Sequence, residues 1–541
     1  MTDATAAALA GRLPDRTDDV VRGLSEAFRP SHVDSLPNSV CWYRDRWLIS
    51  ADVWGDRRLA QFDPNLGTWT AFPAPAGWVR RPMTAGDQLS VLCHEHHADQ
   101  GRQLALRGGR WETVAEGVDE FTVTDWNGAQ VCRRDAGGSV TAWAAGGESV
   151  RVVARPDGPQ AIVGPGWEIP IPPGATLSHL SPSPDRSTAL AVVRRGSSHQ
   201  AVVFSLHTGT AVSREPLRQV VQPISAWLDD TRVVLVVEEW PSLVPVVWDW
   251  SRGSLDRTWP AGSVGTVRSV AATPGGTCVV ALGTPHAQRG ISLLDDTSPL
   301  EQPTGSREVR FPVVRRGEQL LPCVVHEPPV SCRGTAFFLP GGPHLPIWGD
   351  YASLAGALNE AGWRVVRVNV RSSGLRQAEY RPAGPMRYGV DDVADLCTVI
   401  DALAEGPVVT MGMSYGSYIA ALAGELSDRC VGVAVLGGFL HPDDLAGTAH
   451  AGVREFAQLA FRDHPPLGAD RLRKRYFIAH GELDVRIPMA AVERHRGRMD
   501  QEVTFVPLDG EGHAIRTDRG ARLTYPSLIR WMSELSSERR W

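Results

Sequence analysis

The chain has 541 residues, 43% of them apolar and 21% charged. That is the balance of an ordinary globular protein, long enough for more than one domain, and it excludes a disordered or disulfide-stapled chain. The net charge of -6 argues against a nucleic-acid or anionic-membrane surface.

Lys474 is the only lysine, so a P-loop, a Schiff base or a kinase-type phosphate contact has no other lysine to use. The eight cysteines are scattered without a CxxC pair, which reads as free thiols in a reducing compartment. The N-terminus carries early acids and no long apolar core, so it is not a secretory signal. No apolar run reaches the length of a bilayer-spanning helix, and a cytoplasmic protein is expected.

Residues 5–28 read as helix, interrupted at Pro14, and residues 1–35 are set apart as an N-terminal helical segment. From 36 to 305 short β-rich runs such as SVCWYRD and RLAQFD alternate with Gly, Asp, Asn and Pro turns. Longer units begin near 39, 80, 118, 174, 218 and 261, close to the ~40–50 residues of a four-stranded propeller blade. The segment 159–173 is a candidate for part of another blade. Tryptophans at 69, 111, 143, 227, 248 and 259 suit packing between blades. The expectation is an all-β propeller, with seven blades favoured.

After residue 305 strands alternate with helices. Strand candidates lie at 309–314, 318–326, 334–339, 364–369, 407–411, 431–437, 475–480 and 502–507. In GVDDVADLCTVIDAL (389–403) Val393, Leu396, Cys397, Ile400 and Leu403 recur at helical spacing. Residues 306–541 therefore predict an α/β domain with an eight-stranded, mostly parallel sheet, whose sites lie at the carboxyl ends of strands.

The chemistry falls at those ends. PVVTMGMSYGSYIAALAG (407–424) is a strand, then Gly412-Met413-Ser414-Tyr415-Gly416, then a helix. Such a turn lifts Ser414 out of the sheet at a helix N-terminus and aims the Tyr415 N–H at a developing oxyanion. A serine hydroxyl needs a base, and the base an orienting acid. Asp484 follows the seventh strand and His513 the eighth, in the order this fold uses. Glu482 is an alternative acid. His480 reads as a structural histidine, His441, His450 and His464 as pocket wall or surface, and Glu511 as a hydrogen-bonding neighbour. In FFLPGGPHLP (337–346) Gly341 or Gly342 can donate a second oxyanion N–H, which Pro340 and Pro343 cannot.

Two further clusters stand out. Cys93-His94-Glu95-His96-His97 has ligand chemistry but no second ligand pair at zinc spacing, so no metal or other cofactor is expected. Glu238 and Glu239, followed by Trp240, read first as a solvated acidic edge.

Taken together, GGPH (341–344), GMSYGS (412–417), HGELDVRIP (480–488) and GEGH (510–513), behind a propeller-like region, resemble the prolyl oligopeptidase family of serine peptidases. The closest branches are the acylaminoacyl-peptidase-like and dipeptidyl-peptidase-like ones. RVVRVNVRSSG (364–374) and RYGVDDVADL (387–396) resemble the same pattern. The resemblance implies Ser414 as nucleophile, Asp484 as orienting acid, His513 as base, and Tyr415 with the Gly342 loop as oxyanion donors. It implies a propeller that restricts substrates to short peptides, and an N-terminal segment packed on the hydrolase domain. It also suggests Glu238 and Glu239 as candidates for holding a free amino terminus. Trp348, Phe439 and Leu440, with Tyr415, are candidates for apolar substrate contact. The sequence departs from the family pattern at Pro340, Met413, Ser417 and Arg371-Ser372-Ser373-Gly374, which touches pocket shape but no triad member. A short peptide or small acyl compound is the expected partner. An esterase, thioesterase or acyl transferase using the same triad is the alternative, and an inactive binding protein a second one.

Overall fold

A computed structural model describes residues 39–537 apart from short segments, chiefly 120–139, 154–160, 302–306 and 462–471. The helical segment expected within 1–35 lies outside the described residues. The chain divides into two compact units between Gln302 and Pro303. No described helix is long and apolar enough to cross a membrane.

The first unit is built from antiparallel meanders at 39–72, 78–119, 140–170, 175–217, 221–257 and 266–293. The first five have four strands and the last has three, and a single parallel bridge, Leu243 to Thr266, joins the last two. Neighbouring meanders share polar contacts at their leading strands. His179 Nε2 lies 2.6 Å from Ser225 Oγ, and the Trp227 indole donates to the Ser181 carbonyl. The Val40 N–H donates to Ser269 Oγ at 3.2 Å, so the first meander also adjoins the last. Six meanders are seen among the described residues, against the favoured seven. The reason is local: residue 118 ends the second meander instead of opening a third, and 159–173 supplies the last two strands of the meander that begins at Val140. Trp248 and Trp259 are fully buried, as expected of large side chains between sheets.

The second unit is an α/β sandwich. Its strands are β1 (Val309–Arg310), β2 (Val313–Arg316), β3 (Gln319–His326), β4 (Gly334–Leu339), β5 (Trp363–Val368), β6 (Val408–Met413), β7 (Cys430–Leu436), β8 (Arg475–Gly481) and β9 (Val503–Leu508). Its helices are α1 (Ser353–Glu360), α2 (Asp391–Leu403), α3 (Tyr415–Leu426), α4 (Ala451–Ala460), α5 (Met489–Arg496) and α6 (Asp518–Ser537). Eight strands follow one path, β1-β3-β5-β4-β6-β7-β8-β9, and β2 pairs with β3. The strands from β5 to β9 along that path are parallel, and β1 to β3 are antiparallel. The sheet has nine strands where eight were expected, because the first candidate, 309–314, breaks at Phe311-Pro312. Proline has no N–H for the ladder, although its carbonyl still accepts from Cys323.

The strands are apolar on both faces because both faces are covered. Val433 and Val435 of β7 pack with α2 and α3, including Leu396, Ile400 and Ile419. The alternate residues Ala434 and Leu436 pack with α1 and α6, including Leu358, Leu528 and Trp531. Gly432 lets α6 come close: a Cβ there would stand 2.6 Å from Leu535 Cδ1 and 2.8 Å from the Trp531 ring. This packing fixes where β6, β8 and β9 end, and Ser414, Asp484 and His513 follow those ends. Gly432→Ala is expected to destabilise this unit by about 1–3 kcal/mol through overpacking, read as a lower urea midpoint for the transition that opens the β7 and α6 amides to hydrogen exchange.

Candidate active site

Between β6 and α3 the chain reverses within one residue. Ser414 sits at φ 52 and ψ -123, a conformation L-residues rarely adopt and one that costs of order 1–3 kcal/mol. Two glycines make the turn possible. A Cβ on Gly412 would lie 2.2 Å from the Gly416 backbone, and one on Gly416 would lie 2.3 Å from the Pro340 carbonyl oxygen. The Ser414 N–H donates to the Leu436 carbonyl, and the Ser417 hydroxyl donates to the Gly412 carbonyl. The hydroxyl of Ser414 is thereby held at the N-terminus of α3.

The loops after β8 and β9 meet it. His513 Nε2 is 2.9 Å from Ser414 Oγ, and His513 Nδ1 is 2.9 Å from Asp484 Oδ2. The Asp484 side chain is fully buried. Its other oxygen accepts from the backbone N–H groups of Arg486 and Ile487 at 2.8 and 2.9 Å. Burial alone would raise the Asp484 carboxyl, but the His513 contact, His480 nearby and the Ile487 N–H together hold it below the usual carboxylate range. His480 is buried, 2.8 Å from the Ile487 carbonyl and 3.5 Å from Asp484 Oδ2. Burial pushes its pKa down, so it is a neutral structural group. The two loops are in contact: a Cβ on Gly481 would stand 2.1 Å from the Gly512 carbonyl oxygen.

The loop after β4 lies on the other side of Ser414. A Cβ built on Gly341 would be 3.5 Å from Ser414 Cβ, and one on Gly342 3.9 Å from the Tyr415 ring. The His344 N–H donates to the Ser372 carbonyl at 2.8 Å, tying that loop to the turn after β5. Tyr415 is buried, and its hydroxyl donates to Asp392 Oδ2 at 2.6 Å and accepts from the Gly389 N–H at 2.8 Å. Burial and the neighbouring Asp392 raise the Tyr415 phenol well above its ordinary value, so it remains a donor.

Comparison with known proteins adds three findings. Residues 336–532 match the family model described as Alpha/beta hydrolase family. No curated protein matches the sequence. Solved structures match across both units. A puromycin hydrolase mutant complexed with PGG is 15% identical, with TM-score 0.68, over 95% of this chain and 96% of that one. Pyrococcus horikoshii acylaminoacyl peptidase is 12% identical, with TM-score 0.64, over 95% and 98%. Oligopeptidase B from Leishmania major is 12% identical, with TM-score 0.58, over 97% and 92%. This is the fold of the prolyl oligopeptidase family.

Within that fold the other expected site residues fall as follows. Glu482 is exposed and Asp484 buried, so it is Asp484 that faces His513. Trp348, Phe439 and Leu440 are buried in the hydrolase unit, at 2%, 2% and 5% exposure, and Phe439 stacks on Tyr418 with ring centroids 5.3 Å apart. Phe439 and Leu440 belong to the core because the segment after β7 turns inward, and Trp348 is buried in the segment between β4 and α1, where the sequence left open an apolar pocket wall. The rings standing half-buried beside Tyr415 are Tyr388 and Phe456, at 6.4 and 5.8 Å. In the first unit Glu238 is buried and accepts from Gln222, which departs from the solvated edge expected there, while Glu239 is part-exposed and ion-paired with Arg257. Glu511 is buried, His441 and His450 accept from nearby backbone N–H groups at helix starts, and His464 lies outside the described residues. Most of the Cys93–His97 cluster also lies outside them. Asp392, the acceptor of the Tyr415 hydroxyl, was not singled out from the sequence. A signal was available, because Asp392 shares a helical stripe with Leu396 and Val399, and all three are fully buried.

Gly416→Ala is expected to push the Pro340 loop away and slow fluorophosphonate labelling of Ser414 by about 100-fold or more, measured by gel fluorescence against time. The stability that Asp484 contributes is present above about pH 4, its unfolded value, and is lost as pH falls through the lower folded value. Urea midpoints of wild type and Asp484→Asn should therefore differ most near about pH 7 and converge toward about pH 3.

Proposed function

We propose that this chain is a serine peptidase acting on short peptides. The observation that carries the reading is His513 standing 2.9 Å from both Ser414 Oγ and Asp484 Oδ2, with Ser414 on a strained strand-to-helix turn. The names of the structurally similar proteins, among them acylaminoacyl peptidase and oligopeptidase B, support the same class.

In this reading His513 Nε2 takes the Ser414 proton as Oγ forms a bond to the substrate carbonyl carbon. The carbonyl oxygen becomes an oxyanion held by the Tyr415 N–H and an N–H of the Gly341-Gly342 loop. Asp484 keeps Nδ1 protonated and stabilises the imidazolium. The carbon–nitrogen bond then breaks, and the amine leaves with the proton from His513. Water, deprotonated by His513, attacks the acyl-enzyme, and the acid leaves as Ser414 recovers its proton. The meanders of the first unit are read as propeller blades that limit substrates to short peptides, as the family resemblance implies.

A chromogenic peptide-amide library, with free and blocked amino termini, tests the reading on wild type, Ser414→Ala and Asp484→Asn. Cleavage should vanish in Ser414→Ala, and kcat should fall by about 10³–10⁴-fold in Asp484→Asn. Labelling of Ser414 by a fluorophosphonate with no amide cleavage would replace the peptidase reading with ester or acyl-transfer chemistry.

A further inference from the structure

The turn Arg371–Ser373 follows β5 and faces the first turn of α2. Two acids of that helix hold it. Asp395 Oδ2 accepts from the Arg371 N–H at 3.1 Å and from Arg371 Nε at 2.9 Å. Asp392 Oδ1 accepts from the Ser372 N–H at 3.1 Å. The other oxygen of Asp392 accepts from the Tyr415 hydroxyl at 2.6 Å. Ser372 in turn accepts, through its carbonyl, from the His344 N–H at 2.8 Å. His344 closes the GGPH loop, and Gly374 lets the turn press on it: a Cβ there would be 2.8 Å from His344 Cα.

We propose that Asp392 is the positioning residue for both halves of the oxyanion hole, one oxygen holding Tyr415 and the other, through Ser372, holding the Gly341–His344 loop. The proposal rests on the peptidase reading above, which makes those two segments the oxyanion donors. Asp392 reaches no substrate atom itself. It has no exposure to solvent, so its two oxygens work in a low-dielectric setting where charge-assisted hydrogen bonds are strong. Burial and the neighbouring Asp395, opposed by the Tyr415 and Ser372 contacts, push its carboxyl up to about 6, and each of its oxygens serves as an acceptor, from the Ser372 N–H and the Tyr415 hydroxyl. The carboxylate is matched to the task because both partners are donors. An amide has one acceptor oxygen and an NH₂ group, so one of the two donors would face another donor.

The test compares wild type, Asp392→Asn and Tyr415→Phe, each counted by active-site titration with a fluorophosphonate. Each titration is run to its end point, so that folded sites that label slowly are still counted and only unfolded protein is missed. In Asp392→Asn, kcat per titrated site on a peptide amide should fall by about 30–1,000-fold, the scale of losing oxyanion donors, with KM within about threefold. Affinity for a peptidyl aldehyde, which forms a hemiacetal with an oxyanion, should fall by a similar factor. Tyr415→Phe should lose about tenfold in kcat, and the double variant should lose less than the product of the two single effects. A kcat per titrated site within about twofold of wild type in both variants, with losses confined to melting temperature or titratable fraction, overturns the proposal. If Asp392→Asn does not fold, Tyr415→Phe removes one hydroxyl and decides the question by the same criterion. A wild type that neither labels at Ser414 nor cleaves any amide or ester overturns the peptidase reading and this proposal together. An active, Ser414-dependent wild type with unimpaired variants overturns this proposal alone.

Discussion

The site depends on a close approach of backbones at one turn. β6 must end and α3 begin with no room between them, so neither Gly412 nor Gly416 can carry a side chain. That crowding forces Ser414 into a left-handed conformation, and the surrounding sheet over-determines it. The strain is held by ordinary core packing. Val433 and Val435 bury one face of the sheet and Ala434 and Leu436 the other. A turn so constrained fixes where the serine side chain starts, and its hydroxyl then meets His513 Nε2 at 2.9 Å.

The same sheet explains why Asp484 and His513 arrive where they do. β8 and β9 run parallel to β6 and end on the same edge, so short loops suffice to bring Asp484 and His513 beside Ser414. Asp484 is buried yet charged, which is tolerable because its oxygens accept from two backbone N–H groups and from His513. His480 stands beside Asp484 as a neutral buried group with its own backbone partner.

What was legible in the sequence follows this division. Ser414, Asp484 and His513 could be found because each follows a strand, and strand ends can be read from apolar runs and glycines. The α2 helix, Asp391–Leu403, was legible from its apolar period. Buried polar partners were less so, since periodicity reports where apolar residues go and not which acid accompanies them. Asp392 was passed over for that reason. Trp348, Phe439 and Leu440 could not be told from pocket residues, because the same side chains suit a core and an apolar pocket. The meander beginning at Val140 was misplaced because residues near 118 carry the same strand texture as a new unit.

The contact of Gly481 with the Gly512 carbonyl has a mechanical consequence. With no side chain between them, the loop bearing Asp484 and the loop bearing His513 behave as one stiff part. Pressing either loop further toward the other would overlap backbone atoms, so each limits the other's travel on that side.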